Sequence, residues 1–294
     1  MIRRLACTLL LALPLQAPAQ AADTAGERGF PAPTVAESSN FQRTASHEQV
    51  MTICAQLADT SDRITLDSMG TSTNGRDIPL LILADPPIEN AENAHQSGKL
   101  VVFLFGAIHA GEVCGKEALL MLARDLGLGE RADLLDDLVL LIAPIYNPDG
   151  NDEFDPANRP GQLGPIEMGE RENADGLDLN RDYVKLEAPE TRALTRLLSE
   201  WDPHLTVDTH TTNGSHHRYL ITYLGPRHPA GDAEIVSYTR DTLLPAIDAR
   251  FEDQTDWNAF FYGNFSENHS KWTTYPAEPR YGAASRGLRN RLSI

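Results

Sequence analysis

Residues 100–126 restrict the possible folds of this chain more than any other segment. The segment opens with six apolar residues, Leu100 to Phe105, a run too short for a helix and rich in β-branched and aromatic side chains. Such a run, ended by Gly106, predicts a fully buried strand of a parallel sheet. From Lys116 to Leu126 the apolar residues recur on one helical face, which predicts a helix packed on that sheet. A buried strand followed by an amphipathic helix indicates an α/β architecture.

The rest of the chain continues the alternation of strands and helices. Further helices are predicted at residues 46–57, where Ser46 and Gln49 form a capping box, 188–201 and 232–249. Further strands are predicted at residues 63–69, 77–84, 138–146, 205–208 and 219–224. Turn residues predict a hairpin at residues 70–76, and residues 85–98 and 151–179 are predicted to be loops. We therefore predict a single α/β domain with a mixed, mostly parallel central sheet flanked by helices.

The N-terminus has the three parts of a secretory signal peptide. Arg3 and Arg4 form the positive start, residues 5–15 form an apolar run, and Ala19-Gln20-Ala21 is a small-residue cleavage site. The apolar run is too short to span a bilayer comfortably, and no later segment approaches that length. We expect residues 1–21 to be removed and the protein to be periplasmic or extracellular, with no membrane anchor after cleavage. Residues 22–40 are predicted to be an extended arm and residues 41–294 one folded domain.

Charge and cysteine content limit the partners and the chemistry. The formal net charge of −17 argues against nucleic acid or an anionic membrane surface as the main partner, because both are polyanions. Outside the predicted signal peptide the only cysteines are Cys54 and Cys114. An oxidising compartment permits a disulfide between them, and Cys114 is also placed for a zinc-thiolate role, but a small buried thiol is favoured. The oligomeric state stays open.

Polar residues occur where two of the predicted strands end. His109 and Glu112 follow the strand at residues 100–105, and His210 follows the strand at residues 205–208. In open α/β sheets, ligands bind beyond the carboxyl ends of the strands, so these three side chains are expected to meet. Two ligands close in sequence and one distant form a catalytic zinc pattern, with a fourth position left for water. The sequence therefore predicts zinc bound by His109, Glu112 and His210.

Three other histidines compete for the distant ligand position. His216 and His217 come after Gly214, at the start of the next predicted strand, and are interpreted as residues at the rim of the site. His204 lies at the beginning of its strand, which is the wrong end for the crevice, and a structural role is predicted for it. His210 is therefore the preferred ligand.

Five short motifs follow one another along the chain. A hairpin motif, Gly70-x-Ser72-x-x-Gly75-Arg76, comes first, and after it come His109-x-x-Glu112, Asn147-Pro-Asp-Gly150, Asp178-Leu-Asn180-Arg181 and Asp208-Thr-His210. In this order they resemble the zinc carboxypeptidases of the carboxypeptidase A-like family, and the resemblance covers residues 41–294. No single motif is decisive, but several in order, each at the matching edge of the predicted sheet, are specific.

The resemblance implies the metal site and the reaction. His109, Glu112 and His210 would bind zinc, and Asp178 would orient a ligand imidazole from the second sphere. Residues 41–294 would form a zinc carboxypeptidase-like catalytic domain. Its implied activity is the hydrolysis of a peptide or amide bond next to a free carboxylate, by water that zinc activates. The partner would be a peptide or acyl-amino-acid substrate.

The resemblance also implies the residues that hold the substrate. Asn180 and Arg181 would bind its terminal carboxylate, which an arginine can do with two parallel hydrogen bonds. Arg159 resembles an arginine near the family's oxyanion site. The local pattern departs from the family here, because the arginine that polarises the scissile carbonyl usually follows a few residues later, where this chain has Gln162.

The general base of the family, a glutamate late in the domain, is not identified. Glu267 lies in a polar stretch and Glu278 lies between prolines, so neither ends an apolar strand. The last residues before Ile294 resemble the opening of a strand. We therefore expect the base and a final helix to come after Ile294, which would make this sequence a truncated form.

Two classes of function are compatible with these observations. The first is an exported zinc hydrolase, in which carboxypeptidase action competes with amidase action on cell-wall peptides and with deacylation of acyl amino acids. The second is a zinc- or peptide-binding homologue without turnover, because the base is not found. Zinc-dependent hydrolysis would distinguish the two classes.

Overall fold

The computed structural model of the chain describes residues 33–129, 131–212, 218–226, 231–266, 268, 270–275 and 292–293. Its ten strands are Ile64–Thr71 (β1), Asp77–Leu83 (β2), Leu100–Phe105 (β3), Leu138–Ala143 (β4), Leu205–Asp208 (β5), Ile221–Tyr223 (β6), Ala259–Phe261 (β7), Gly263–Phe265 (β8), Trp272–Thr274 (β9) and Leu292–Ser293 (β10). Six of them form the central sheet in the order β1-β2-β4-β3-β5-β10. β1 and β4 pair with β2 in antiparallel fashion, while β4-β3, β3-β5 and β5-β10 are parallel. The predicted mixed sheet is confirmed.

Helices precede these strands or lie between them, and they include those that the sequence predicts. They are Val35–Ser38 (α1), His47–Thr60 (α2), Ala91–Ser97 (α3), Val113–Leu128 (α4), Pro148–Asp152 (α5), Pro189–Glu200 (α6), Ala233–Tyr238 (α7) and Leu244–Gln254 (α8). Short 3-10 turns occur at Ala132–Asp136 and Leu179–Arg181, and a π turn, Thr239–Leu243, joins α7 to α8. The predicted capping box of Ser46 and Gln49 is present at the start of α2. Two small ribbons, β6-β7 and β8-β9, complete the fold.

The central sheet carries a buried hydrophobic layer on each face. On one face Phe103 and Phe105 belong to a cluster that includes Leu194 of α6. On the other face Leu140 and Ile142 pack in a cluster with residues of α2 and α4. Successive residues of a strand point to opposite faces, so a strand covered on both sides must be apolar throughout. This explains the uninterrupted apolar runs of β3 and β4.

Asp149 joins the β1-β2 hairpin to the start of α5. Its carboxylate is buried and accepts hydrogen bonds from Ser72 Oγ at 2.9 Å and from the Asn74 backbone N–H at 3.0 Å. Arg76 Nε lies 3.6 Å away, and Arg76 also donates to Asp152 of α5 at 2.7 Å. The hairpin and Asn147-Pro-Asp-Gly150 motifs therefore contact each other, and both hold the scaffold together.

We expect Asp149→Ala to destabilise the fold by about 2–4 kcal/mol. The change leaves a backbone N–H and a hydroxyl without their charged acceptor, and each such hydrogen bond contributes about 1.5–3 kcal/mol. Urea unfolding measures the loss. Asp67→Ala removes an exposed carboxylate from the same hairpin and serves as the control, with an expected change within about 0.5 kcal/mol. Equal stabilities of the two variants would contradict the role given to Asp149.

Helix α4, which carries the predicted metal site at its start, is held by buried polar contacts. Lys116 Nζ donates to Ala45 O at 2.5 Å and to Asn151 Oδ1 at 2.6 Å, and its side chain is fully buried. Glu117 accepts from Thr44 Oγ1 at 2.6 Å and from the Ala45 N–H at 2.7 Å. These bonds fix α4 against the segment before α2 and against α5.

Several boundaries differ from the sequence predictions. The predicted loop at residues 85–98 contains α3, which Asn90 caps at its start and Gly98, in the left-handed conformation, ends. The Asn147-Pro-Asp-Gly150 motif forms the beginning of α5, with Asn147 as its N-cap. The predicted strand at residues 138–146 ends at Ala143. At both helices a side-chain or glycine cap determines the backbone conformation locally, and no apolar periodicity marks these segments in the sequence.

The predicted extended arm is also partly wrong. Its last residues form α1, where Thr34 and Glu37 make a capping box and Glu37 pairs with Arg124 of α4 at 2.7 Å. The predicted signal peptide and the first part of the arm lie outside the described residues, and the domain limits stay predictions. Cys54 is a buried free thiol, but Cys114 is exposed, so the buried state favoured for it is wrong. Among the described residues, no helix is long and apolar enough to cross a membrane.

Candidate metal centre

The three predicted zinc ligands meet at one edge of the sheet. His109 lies in the loop after β3, Glu112 is the residue before α4, and His210 follows β5 by two positions. β3 and β5 are parallel neighbours, so their carboxyl ends lie side by side. Candidate donor atoms of the three side chains all lie within 4.8 Å of one another. The sheet thus brings together residues that are far apart in sequence.

Each imidazole turns its Nδ1 atom toward the Glu112 carboxylate. His109 Nδ1 is 2.9 Å from Oε1, and His210 Nδ1 is 3.0 Å from Oε2. The two rings lie 5.1 Å apart between centroids. His109 and Glu112 are buried, while about a quarter of the His210 side chain is exposed. The cluster is therefore open to solvent on the side of His210.

The Nε2 atoms of both rings contact other carboxylates. His109 Nε2 is 3.1 Å from Asp178 Oδ1, and His210 Nε2 is 3.0 Å from Asp208 Oδ2. Arg171 donates to the second oxygen of Asp178 through Nη2 at 2.7 Å and Nε at 3.1 Å. The contact predicted for Asp178 is present. Asp208 and Arg171 were not identified as site residues from the sequence.

The Glu112 carboxylate accepts two further hydrogen bonds, one at each oxygen. Arg159 Nη2 donates to Oε1 at 2.8 Å, and the backbone N–H of Thr211 donates to Oε2 at 2.7 Å. Gly111 makes room for the arginine, because a Cβ at Gly111 would lie 2.5 Å from Arg159 Cγ and 2.3 Å from the carbonyl oxygen of Gly169. Steric exclusion of a side chain thus explains why the His-x-x-Glu motif has glycine at position 111.

The carboxylates and imidazoles of the cluster stabilise each other's charged forms. Burial tends to raise the pKa of Glu112, but hydrogen bonds from His109 and His210 and their positive charge hold that pKa well below its usual value. The pKa of Asp178 is lowered in the same way against burial, by His109 and Arg171. Burial opposes protonation of His210, yet Asp208 and Glu112 raise the pKa of its imidazole to about 9. The carboxylates of the cluster therefore favour positive charge at the imidazoles, as they would favour a bound cation.

The predicted substrate residues lie close to the cluster, with different contacts. Asn180 Nδ2 is 3.5 Å from His210 Nε2, and its Oδ1 is buried without a hydrogen bond in the described part of the chain. The exposed Arg181 donates from Nη1 to Asn180 O at 2.9 Å. Arg159 donates from Nη2 to Glu112. Its contact with a substrate stays a prediction. Gln162 Nε2 donates to Thr212 O at 2.9 Å. This bond holds the loop that carries Arg159 against the segment after His210.

The three histidines that competed with His210 for the ligand position are considered next. His204 Nδ1 accepts a hydrogen bond from the Val101 N–H at 3.1 Å, at the opposite end of β3 from the cluster, as predicted for a structural residue. His216 and His217 lie outside the described residues, as do Glu267 and Glu278. Cys114 is not among the clustered donors.

Two imidazoles and one carboxylate are a donor set that Zn²⁺ prefers, and here the carboxylates on both Nε2 atoms leave both Nδ1 atoms for a metal. A sequence model of the zinc carboxypeptidase family matches residues 50–200, which is just over half of the chain. The chain belongs to the zinc carboxypeptidase family. The matched region includes His109, Glu112 and Asp178, while His210 lies beyond it.

Relatives of this family member agree with the assignment. Carboxypeptidase 2 of Trichophyton rubrum is 32% identical over 143 residues, which are 47% of this chain and 23% of that protein. Carboxypeptidase E of Caenorhabditis elegans is 33% identical over 133 residues, 42% of this chain and 26% of that protein. The chain therefore spans about a quarter of the length of these two relatives.

Solved structures support the same fold. Carboxypeptidase A from Helicoverpa armigera superposes with a TM-score of 0.60 at 18% identity, covering 86% of this chain and 64% of the other. A metallo-carboxypeptidase from Burkholderia cenocepacia gives a TM-score of 0.58 at 17% identity, covering 85% of this chain and 59% of the other. The predicted fold class and family are confirmed.

Proposed function

We propose that this chain is the metal-binding part of a zinc carboxypeptidase that hydrolyses a peptide or amide bond next to a free carboxylate. The observation that carries the proposal is the orientation of the cluster, in which both Nδ1 atoms face Glu112 while both Nε2 atoms contact carboxylates. His109, Glu112 and His210 would hold the zinc. Bound zinc supplies a Lewis acid and a water whose pKa is near neutrality.

The residues around the cluster suit a peptide with a free carboxylate. Arg181 and Asn180 follow Asp178, which contacts His109, so their side chains start beside the metal site. Buried polar atoms without a partner are rare in native structures. Two of them, Asn180 Oδ1 and Thr211 Oγ1, occur at this site among the described residues, which supports a polar ligand here. Asn180 and Arg181 would bind the carboxylate, and Arg159 would hold Glu112 and face the scissile carbonyl.

The predicted signal peptide supports export to the periplasm or the cell exterior. The general base is left unassigned, and the two late glutamates weighed for it are outside the described residues. Amidase action, deacylation and zinc binding without turnover therefore stay as alternatives within the proposal.

The proposal is tested on the purified chain by metal analysis and by a pair of substrates. We expect one zinc ion per chain and faster cleavage of an N-acylated dipeptide acid than of its C-terminal amide. A chelator should stop the reaction and added zinc should restore it. Equal cleavage of acid and amide would show that the chain acts as an amidase and not as a carboxypeptidase. A preference for a simple N-acyl amino acid would indicate a deacylase. Zinc and peptide binding without cleavage would favour the non-catalytic homologue.

A further inference from the structure

Asp208 is a buried carboxylate at the last position of β5, next to the distant member of the metal cluster. Only 1% of its side chain is exposed, and its Oδ2 atom lies 3.0 Å from His210 Nε2. Burying a carboxylate costs free energy of folding unless the charge is paired, so a partner is expected for Asp208. The imidazole of His210 is that partner on Oδ2.

Packing fixes Asp208 and His210 on the same side of the chain. Residues two positions apart in an extended segment share a face, while the residue between them points the other way. Thr209 points into α4 and donates from Oγ1 to Phe105 O at 3.0 Å. A Cβ on Gly115 would lie 2.0 Å from this Oγ1, so the threonine fits only because glycine occupies that position. The packing of Thr209 against Gly115 holds the segment so that Asp208 reaches His210.

We propose that Asp208 is a positioning residue that holds His210 with its proton on Nε2, so that Nδ1 becomes the metal ligand. A neutral imidazole has one donor nitrogen and one acceptor nitrogen, and the carboxylate selects which is which. Asp178 makes the equivalent contact to His109, so each ring of the pair has its own carboxylate. This inference rests on the proposed zinc site and adds a second orienting residue to it.

The test measures zinc affinity by competition with a chelator. Asp208→Ala should weaken zinc binding about 10- to 100-fold, the usual effect of removing a carboxylate behind a metal-bound histidine. Asp208→Asn keeps the size and one acceptor oxygen, so it should lose less than Asp208→Ala. Glu190→Gln is the matched control, because it neutralises a buried carboxylate that contacts Thr73 and Asn173 and not an imidazole. Its zinc affinity should equal that of the unchanged chain.

A spectroscopic measurement separates positioning from a merely structural role. In the zinc-loaded chain, the ¹⁵N spectrum of His210 should show a protonated Nε2 and a metal-bound Nδ1. In zinc-loaded Asp208→Ala this pattern should be lost or mixed with the opposite one. Unchanged affinity and an unchanged ¹⁵N pattern in Asp208→Ala, or a loss of affinity in Asp208→Asn as large as in Asp208→Ala, would overturn the inference while leaving the zinc site intact. An unchanged chain that binds no zinc would instead overturn the proposed function itself.

Discussion

His210→Ala is expected to lose stoichiometric zinc, whereas the unchanged chain is expected to hold one zinc ion. The imidazole is one of only three side chains in the proposed donor set, and its Nδ1 lies at the centre of the cluster, 3.0 Å from Glu112. Removing a carboxylate that merely orients a metal-bound histidine costs about 10- to 100-fold in metal affinity. Removing the ligand itself should therefore cost more than about 100-fold. Metal analysis after dialysis against a weak chelator measures the difference.

The control for this variant is His47→Ala. His47 Nε2 lies 2.7 Å from Asp77 O, on the hairpin side of the fold, and makes no contact with the cluster. Its replacement should leave the zinc content unchanged. Full zinc retention by His210→Ala, under conditions where both variants are folded by circular dichroism, would show that the ligand assignment is wrong.

Arg181→Ala is expected to weaken binding of peptides with a free carboxylate about 10- to 100-fold, because a hydrogen bond to a charged group contributes about 1.5–3 kcal/mol. The same change should barely affect peptides whose terminus is an amide, since an amide carries no charge for the guanidinium to bind. Dissociation constants for a matched acid and amide, measured by calorimetry with the zinc-loaded chain, give the comparison.

Arg240→Ala provides the reference for general charge effects. Arg240 is exposed and pairs with the neighbouring Asp241, far along the chain from the cluster. Its loss changes the net charge by the same amount as the loss of Arg181, so it should leave both dissociation constants unaltered. Equal weakening of acid and amide by Arg181→Ala would rule out carboxylate recognition by this residue.

The sequence was sufficient for five of the six described strands of the central sheet and for the three clustered residues. Leu100–Phe105 and Leu138–Ala143 are apolar on both faces, and such runs identify central strands directly. His109, Glu112 and His210 could be placed together because each follows the carboxyl end of a predicted strand, and parallel strands end at one edge. Strong periodic patterns thus gave both the scaffold and the position of the site.

Contacts that depend on packing could not be predicted in this way. Arg159 and Arg171 come from the long loop after α5, where no periodicity indicates which side chain reaches Glu112 and which reaches Asp178. Asp208 carried a usable signal, because an Asp two residues before a ligand at a strand end shares its face. The helix α3 was missed because it is short and polar, and its existence depends on the caps at Asn90 and Gly98.

The position of the cluster on two paired strands links zinc binding to the stability of the sheet. Glu112 and His210 are 98 residues apart in the chain, and the pairing of β3 with β5 brings them together. A metal that binds only this arrangement adds about 2.7 kcal/mol of stability at 100 times its dissociation constant. Zinc is therefore expected to raise the free energy of unfolding of the sheet that β3 and β5 share, by an amount that grows with the zinc concentration.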